Sequence, residues 1–218
     1  RTIVDSNIDL LSSNMPDVKK NSCGYRLEKI TENDVFDLGK LFTCAEGTLG
    51  VILESKLKIK NLPKFKTLAL IQLSDVLHLD MLMESLLSLS PSSVELLDAK
   101  IIDVAKLDYP HLSELINPHS KIILLVEFDG DSFNEPKNSL AELTKIFNSL
   151  DLSKSSLIES SEEKEMARLW DVRKKSQPYA QKIRLNNKRP VPFMEDTSVN
   201  PCKLGEYIND LYSLFTKH

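Results

Sequence analysis

TLALIQLSDVLHLDMLMESLLSL, residues 67 to 89, changes its period partway along. Thr67 to Leu73 is a short, dominantly apolar run of strand length, and from Val76 to Leu89 the apolar residues recur at three- and four-residue intervals, the spacing of a helix. The same alternation continues downstream. Ser93 to Lys100, Lys121 to Asp129 and, more weakly, Ser155 to Glu159 read as strands, and Asn138 to Leu150 reads as a second amphipathic helix. None of these blocks carries the glycine-rich turn with which a doubly wound sheet binds nucleotide phosphates. Repeated β-α-β blocks of this kind predict an α+β fold, a ferredoxin-like antiparallel sheet with helices covering one face.

Outward from that core, Ser160 and Glu163 have the spacing of a capping box, so a longer helix is expected from about Ser161, weakening at Pro178. Asn200 as cap and Pro201 in the first turn predict a final helix with the stripe Leu204, Tyr207, Ile208, Leu211 and Phe215. Pro190 to Val199 reads as extended. Upstream, Val4, Ile8, Leu11 and Met15 predict a helix over residues 3 to 15, stopped by Pro16. Residues 51 to 59 alternate, with Val51, Leu53, Leu57 and Ile59 against Glu54, Lys56 and Lys58, which predicts a half-buried strand. Pro63 then marks a boundary, dividing the chain into residues 1–62 and 63–218.

Composition excludes several partners. There are 28 basic and 32 acidic residues, net −4, with no dominant basic patch, so nucleic-acid binding has no electrostatic basis. No apolar run reaches the length of a membrane span and no signal segment opens the chain, which is therefore expected to be cytoplasmic. Cys23, Cys44 and Cys202 are odd in number and far apart, fitting neither a disulfide framework nor a metal site. His78, His111, His119 and His218 show no i, i+4 pairing, so no zinc site is expected from this chain alone. The chain starts at Arg1 and stops directly after a helical pattern, as an excised segment would.

Glycine is scarce, yet three of the six fall in two short segments, Lys20-Asn21-Ser22-Cys23-Gly24-Tyr25 and Glu46-Gly47-Thr48-Leu49-Gly50. Gly47 and Gly50 are expected to allow turns closed to other residues and to bring bare N–H groups near a ligand. On the residues alone, a tight turn feeding a strand explains the second segment as well. It is not a phosphate-binding loop, because no Gly-Lys-Ser/Thr follows.

Taken in order, Lys20-Asn21-x-x-Gly24-Tyr25-x-Leu27 and Ala45-Glu46-Gly47-Thr48-Leu49-Gly50-Val51-Ile52 resemble the FAD-linked oxidase family, the flavoproteins related to vanillyl-alcohol oxidase. The family usually has Gly-Ser or Ser where this chain has Cys44-Ala45, which leaves a hydroxyl contact at position 45 in doubt. The resemblance continues through Leu169-Trp170-x-x-Arg173 and Pro192-Phe193-Met194-Glu195-Asp196-Thr197-x-Val199-x-Pro201-x-x-Leu204, which are similar to the D-2-hydroxyacid dehydrogenase branch, with its lactate, glycolate and 2-hydroxyglutarate enzymes. The Glu-Asp-Thr variant is closest to large members fused to iron–sulfur modules. Residues 1–62 would then be the end of an FAD-binding domain and 63–218 a substrate-capping domain, with FAD contacts implied for Asn21, Gly24, Tyr25, Glu46, Gly47, Thr48, Gly50 and Ile52. The resemblance places the rest of the FAD cradle before Arg1 and a histidine base after His218, so the segment alone is expected to be inactive.

Met166, Leu169, Trp170 and Arg173 fall at i, i+3, i+4 and i+7, which puts a guanidinium on an apolar helix face. It needs an anion, either an internal carboxylate, with the side chain running past Trp170, or the carboxylate of a substrate. The resemblance implies the second, with Lys188 as another cation, and Gln177, one turn after Arg173, is placed to add a hydrogen bond. Arg184 and Arg189 compete with Lys188, and a solvated face accounts for Gln177 equally. Glu195 and Asp196, adjacent in an extended segment, point to opposite sides and are read as structural. Two other readings stand beside this one: a flavin oxidase of another substrate class, and a non-catalytic ferredoxin-like interaction module.

Overall fold

The computed structural model describes the chain except residues 17, 19, 20, 23, 33, 34, 108, 181–183, 185–188, 190, 192–196 and 218, and the side chains of 32, 104, 105 and 177–180. It divides into two compact units, one built on Arg1–Lys60 and the other on Asn61–Glu195 and Pro201–His218, with the short stretch before Pro201 grouped with the first.

In the first unit the helix expected over residues 3 to 15 is two helices, α1 (Thr2–Asp5) and α2 (Ile8–Asn14). The break falls where the Asn7 side-chain amide donates to the Ile3 carbonyl at 2.8 Å, a local bond that competes with the helical ladder. A short antiparallel pair, β1 (Thr31–Glu32) and β2 (Val35–Phe36), leads to α3 (Leu38–Phe42), where the Asp37 carboxylate accepts from Gly39 N–H at 2.8 Å. The strand expected at 51 to 59 is absent. Those residues have no regular structure, and the side of the alternation read as buried is open: Val51, Leu53, Leu57 and Ile59 are 79–93% exposed. Alternation supplies a face but no hydrogen-bonded neighbour, and the strands described in this unit pair with each other.

The second unit runs β3 (Phe65–Leu73), α4 (Leu79–Ser88), β4 (Ser93–Asp98), α5 (Ala99–Ala105), α6 (Leu112–Leu115), β5 (Ile122–Gly130), α7 (Asn134–Ser149), β6 (Ser156–Ser160), α8 (Glu163–Ala180) and α9 (Leu204–Lys217). The sheet order is β4-β5-β3-β6, every pair antiparallel, with Leu70 opposite both Leu125 and Ile158. This is the predicted ferredoxin-like topology. The two crossover helices lie on one face as expected: Leu79, Leu82 and Leu86 of α4 and Leu140, Leu143 and Phe147 of α7 pack on Ala69, Ile71, Leu124 and Val126. The opposite face is covered too, by Ile102 of α5, Leu112 and Leu115 of α6, and Leu169 and Val172 of α8 against Leu68, Leu70, Ile123 and Leu125. That second layer explains why β3 reads as a continuous apolar run, since both of its faces are buried.

Several boundaries differ from expectation. Ala99 and Lys100 open α5 instead of ending the strand, α8 starts at Glu163, with Ser160 accepting from Glu162 N–H at 3.1 Å, and runs to Ala180, past Pro178, and α9 starts at Leu204, after Asn200 and Pro201. The first N–H groups of α9, at Gly205 and Glu206, are taken by the carboxylate of Asp80 on α4.

Candidate functional site

In the first unit the two glycine-bearing segments meet. The Tyr25 hydroxyl donates to Thr48 Oγ1 at 2.8 Å, and the Thr48 hydroxyl in turn donates to the Ala45 carbonyl, so the segments are bound side chain to turn. Gly24 has φ +65° and Gly47 +77°, conformations that L residues avoid, and Glu46 precedes Gly47 at +49°. Gly50 does not need its freedom in this way. Its φ is not positive, and a Cβ there would rest 3.5 Å from the Phe42 ring, an ordinary contact. A Cβ on Gly24 or Gly47 would meet no atom within 4 Å, so bare backbone at both faces open space. Glu46 to Gly50 are exposed, as is Ile52 at 64%, while Asn21 is half-buried with its carbonyl accepting from Arg26 Nη1.

In the second unit α8 buries Leu169, Val172 and Ser176, and sets Trp170 and Arg173 at the margin of that stripe, half-buried. The guanidinium is thus less enclosed than the apolar spacing suggests. It meets an internal carboxylate: Arg173 Nε donates to Glu95 Oε2 at 3.1 Å, with side chains 26% and 41% exposed. One turn earlier the Trp170 indole N–H donates to Glu127 Oε2 at 3.3 Å, and the other Glu127 oxygen accepts from Lys66 Nζ at 2.8 Å. Two carboxylates on neighbouring strands therefore tie α8 to the sheet, since Ser93, two residues before Glu95, pairs with Glu127 across β4 and β5. A cavity of about 360 Å³ opens at the start of β3 among Phe65, Lys66, Phe133, Lys137 and Met166, and Arg173 does not line it.

A family model for the C-terminal domain of FAD linked oxidases matches residues 62–218, well over half of the chain. The chain belongs to the FAD-linked oxidase family. Within this flavoprotein oxidoreductase family it is similar to the D-2-hydroxyglutarate dehydrogenases of Pseudomonas putida (28% identical, 98% of this chain and 22% of that protein), Escherichia coli (29%, 96% and 22%) and Haemophilus influenzae (26%, 94% and 21%). It spans about a fifth of the length of these curated relatives.

Of the site residues expected for an FAD-linked oxidase, Tyr25 and Thr48 are brought together, and Arg173, on α8, is set against Glu95 of β4. Lys188, Glu195 and Asp196 lie outside the described residues, as does the side chain of Gln177. Arg184 and Arg189 are exposed. Sequence reasoning missed Glu95, Glu127 and Lys66. The signal was present, because Glu95 and Glu127 stand two residues from the apolar Leu97 and Leu125 on the α8 face of their strands, where a carboxylate requires a partner. Among the described residues no helix is long and apolar enough to cross a membrane, and no three His, Cys, Asp or Glu residues are grouped to hold a metal.

Proposed function

We propose that this chain is part of an FAD-dependent dehydrogenase that oxidises a D-2-hydroxyacid of the lactate, glycolate or 2-hydroxyglutarate type to the 2-oxoacid. Residues 1–62 close the FAD-binding domain and 63–218 form the substrate cap. The observation that carries the reading is the match of this chain to relatives named for a hydroxyacid substrate; Arg173, which meets the internal carboxylate of Glu95, is proposed to share its guanidinium with the acid. A planar guanidinium takes a carboxylate in two parallel hydrogen bonds, which fixes the acid's orientation as well as its position.

The chain's own residues also fit an FAD. The open backbone at Gly24 and Gly47, at left-handed angles that only glycine holds without strain, allows close approach of a flat or anionic group. Asn21, Tyr25, Glu46, Thr48, Gly50 and Ile52 belong to the same two segments and complete the proposed contacts, with the Tyr25–Thr48 bond keeping the segments in register. When bound, the cofactor supplies the acceptor for the hydride leaving the substrate's α-carbon. Arg173, aided by Lys188 and Gln177, holds the acid so that this carbon faces one way, and the hydroxyl proton leaves to a base supplied by the rest of the polypeptide.

Replacing Arg173 with leucine in the full-length enzyme tests the reading by steady-state kinetics. Loss of a charge-assisted pair worth about 1.5–3 kcal/mol raises the KM for the hydroxyacid by roughly 10- to 100-fold. An unchanged KM would place the substrate carboxylate elsewhere, and a full-length protein that does not turn over any of these hydroxyacids would favour a flavin oxidase of another substrate class.

A further inference from the structure

Arg173 is directed by Glu95, and the pairing is poorly explained as a stabilising device. Both side chains are partly exposed, and pairs of that kind contribute about 0–1 kcal/mol, because water screens the attraction and two long side chains lose freedom. Glu95 shares its strand face with Leu97, which is buried against Leu169 and Val172 of α8, so an apolar residue at position 95 would extend that core.

What the carboxylate supplies is direction. A free arginine samples many rotamers, with about 2 kcal/mol of side-chain entropy, and an acceptor at Nε fixes the plane of the fork at the end of the chain. The base of the side chain is fixed as well. Trp170, three residues earlier, is held by Glu127, and Glu127 is held by Lys66, so this turn of α8 is anchored to β5 and β3. Helix anchor and fork anchor then stand on the adjacent strands β5 and β4, which restricts the orientations open to the guanidinium.

We infer that Glu95 is a positioning residue that orients Arg173 for the carboxylate of the substrate; this rests on the function proposed above. It acts through its acceptor oxygen and in spite of its charge, which repels an acid substrate. Glutamine at position 95 keeps the acceptor and removes the repulsion, whereas alanine removes both.

In the full-length enzyme, Glu95→Ala therefore raises the KM for the hydroxyacid about 10-fold, while Glu95→Gln leaves it at or below the parent value. Thermal midpoints of both variants stay with the parent, which separates orientation from folding. If Glu95→Ala leaves KM unchanged or lowers it, or if Glu95→Gln raises it as much as alanine does, the inference is overturned. Arg173→Leu, run alongside, keeps the two levels apart. An unchanged KM there removes the substrate site itself, whereas a raised KM beside a silent Glu95→Ala removes only the role of Glu95.

Discussion

Single residues here are set by the groups they face across the chain. Tyr212 of α9 donates its hydroxyl to Asp98 at the end of β4, with Lys100 Nζ over its ring at 5.5 Å. Partial burial first, and then the hydrogen bond and charge of Asp98, push the phenol from 10.0 up to about 12. A phenol whose folded value is raised stays protonated in the fold after the unfolded chain has begun to ionise. Its stabilisation is therefore full below about pH 10 and is lost as pH rises towards 12. Tyr212 is 37% exposed, so the contribution is under about 1 kcal/mol. Urea unfolding of Tyr212→Phe beside the parent should show a small deficit at neutral pH that closes above pH 10. A gap that persists unchanged to pH 12 would mean that ionisation of this hydroxyl does not contribute to the pH dependence of stability. Nothing local announces this pair, because Asp98 and Tyr212 belong to distant elements. The glycine turns are the opposite case: Gly47 and Gly24 were legible as special because few glycines are present and φ is a local property, whereas Gly50 shared the motif without sharing the conformation.

Among elements, those with their own period were readable and those needing a neighbour were not. The four strands and two crossover helices of the second unit emerge within a few residues of their expected ends because burial imprints periods of 2 and 3.6 on the chain. Residues 51–59 carry a strand's alternation without a strand's partner, and the helix over 3–15 breaks where Asn7 reaches its own backbone. The second helical layer escaped because α5 and α6 are short, and because a helix pattern does not say which sheet face it will cover. The start of α9 also depends on a distant group. Asp80 presents one oxygen to Gly205 N–H and the other to Glu206 N–H, and a Cβ at position 205 would sit 2.9 Å from that carboxylate. Asp80→Ala is expected to lower stability by about 1 kcal/mol, read as a lower urea midpoint with fraying of α9 by hydrogen exchange. Undiminished protection at the head of α9 would show that Asn200 or water replaces the cap.

For the whole molecule, topology was accessible from order and periodicity and the family from the resemblance of its motifs, while the proposed site was accessible only in outline. Motifs pointed to Arg173, but its distance to Glu95 depends on register between β4 and β5 and on how α8 lies across them, neither of which spacing alone encodes. The chain spans about a fifth of the length of its curated relatives, so the proposed chemistry is tested on the full-length protein. The most direct test is to add D-2-hydroxyglutarate, D-lactate or glycolate anaerobically to the purified full-length protein and follow its visible absorbance. Bound flavin bleached by at least one of these acids, and bleached in the Arg173→Leu variant only at roughly 10- to 100-fold higher acid, is the result expected. A full-length protein without flavin, or a flavin that all three acids leave oxidised, would contradict it.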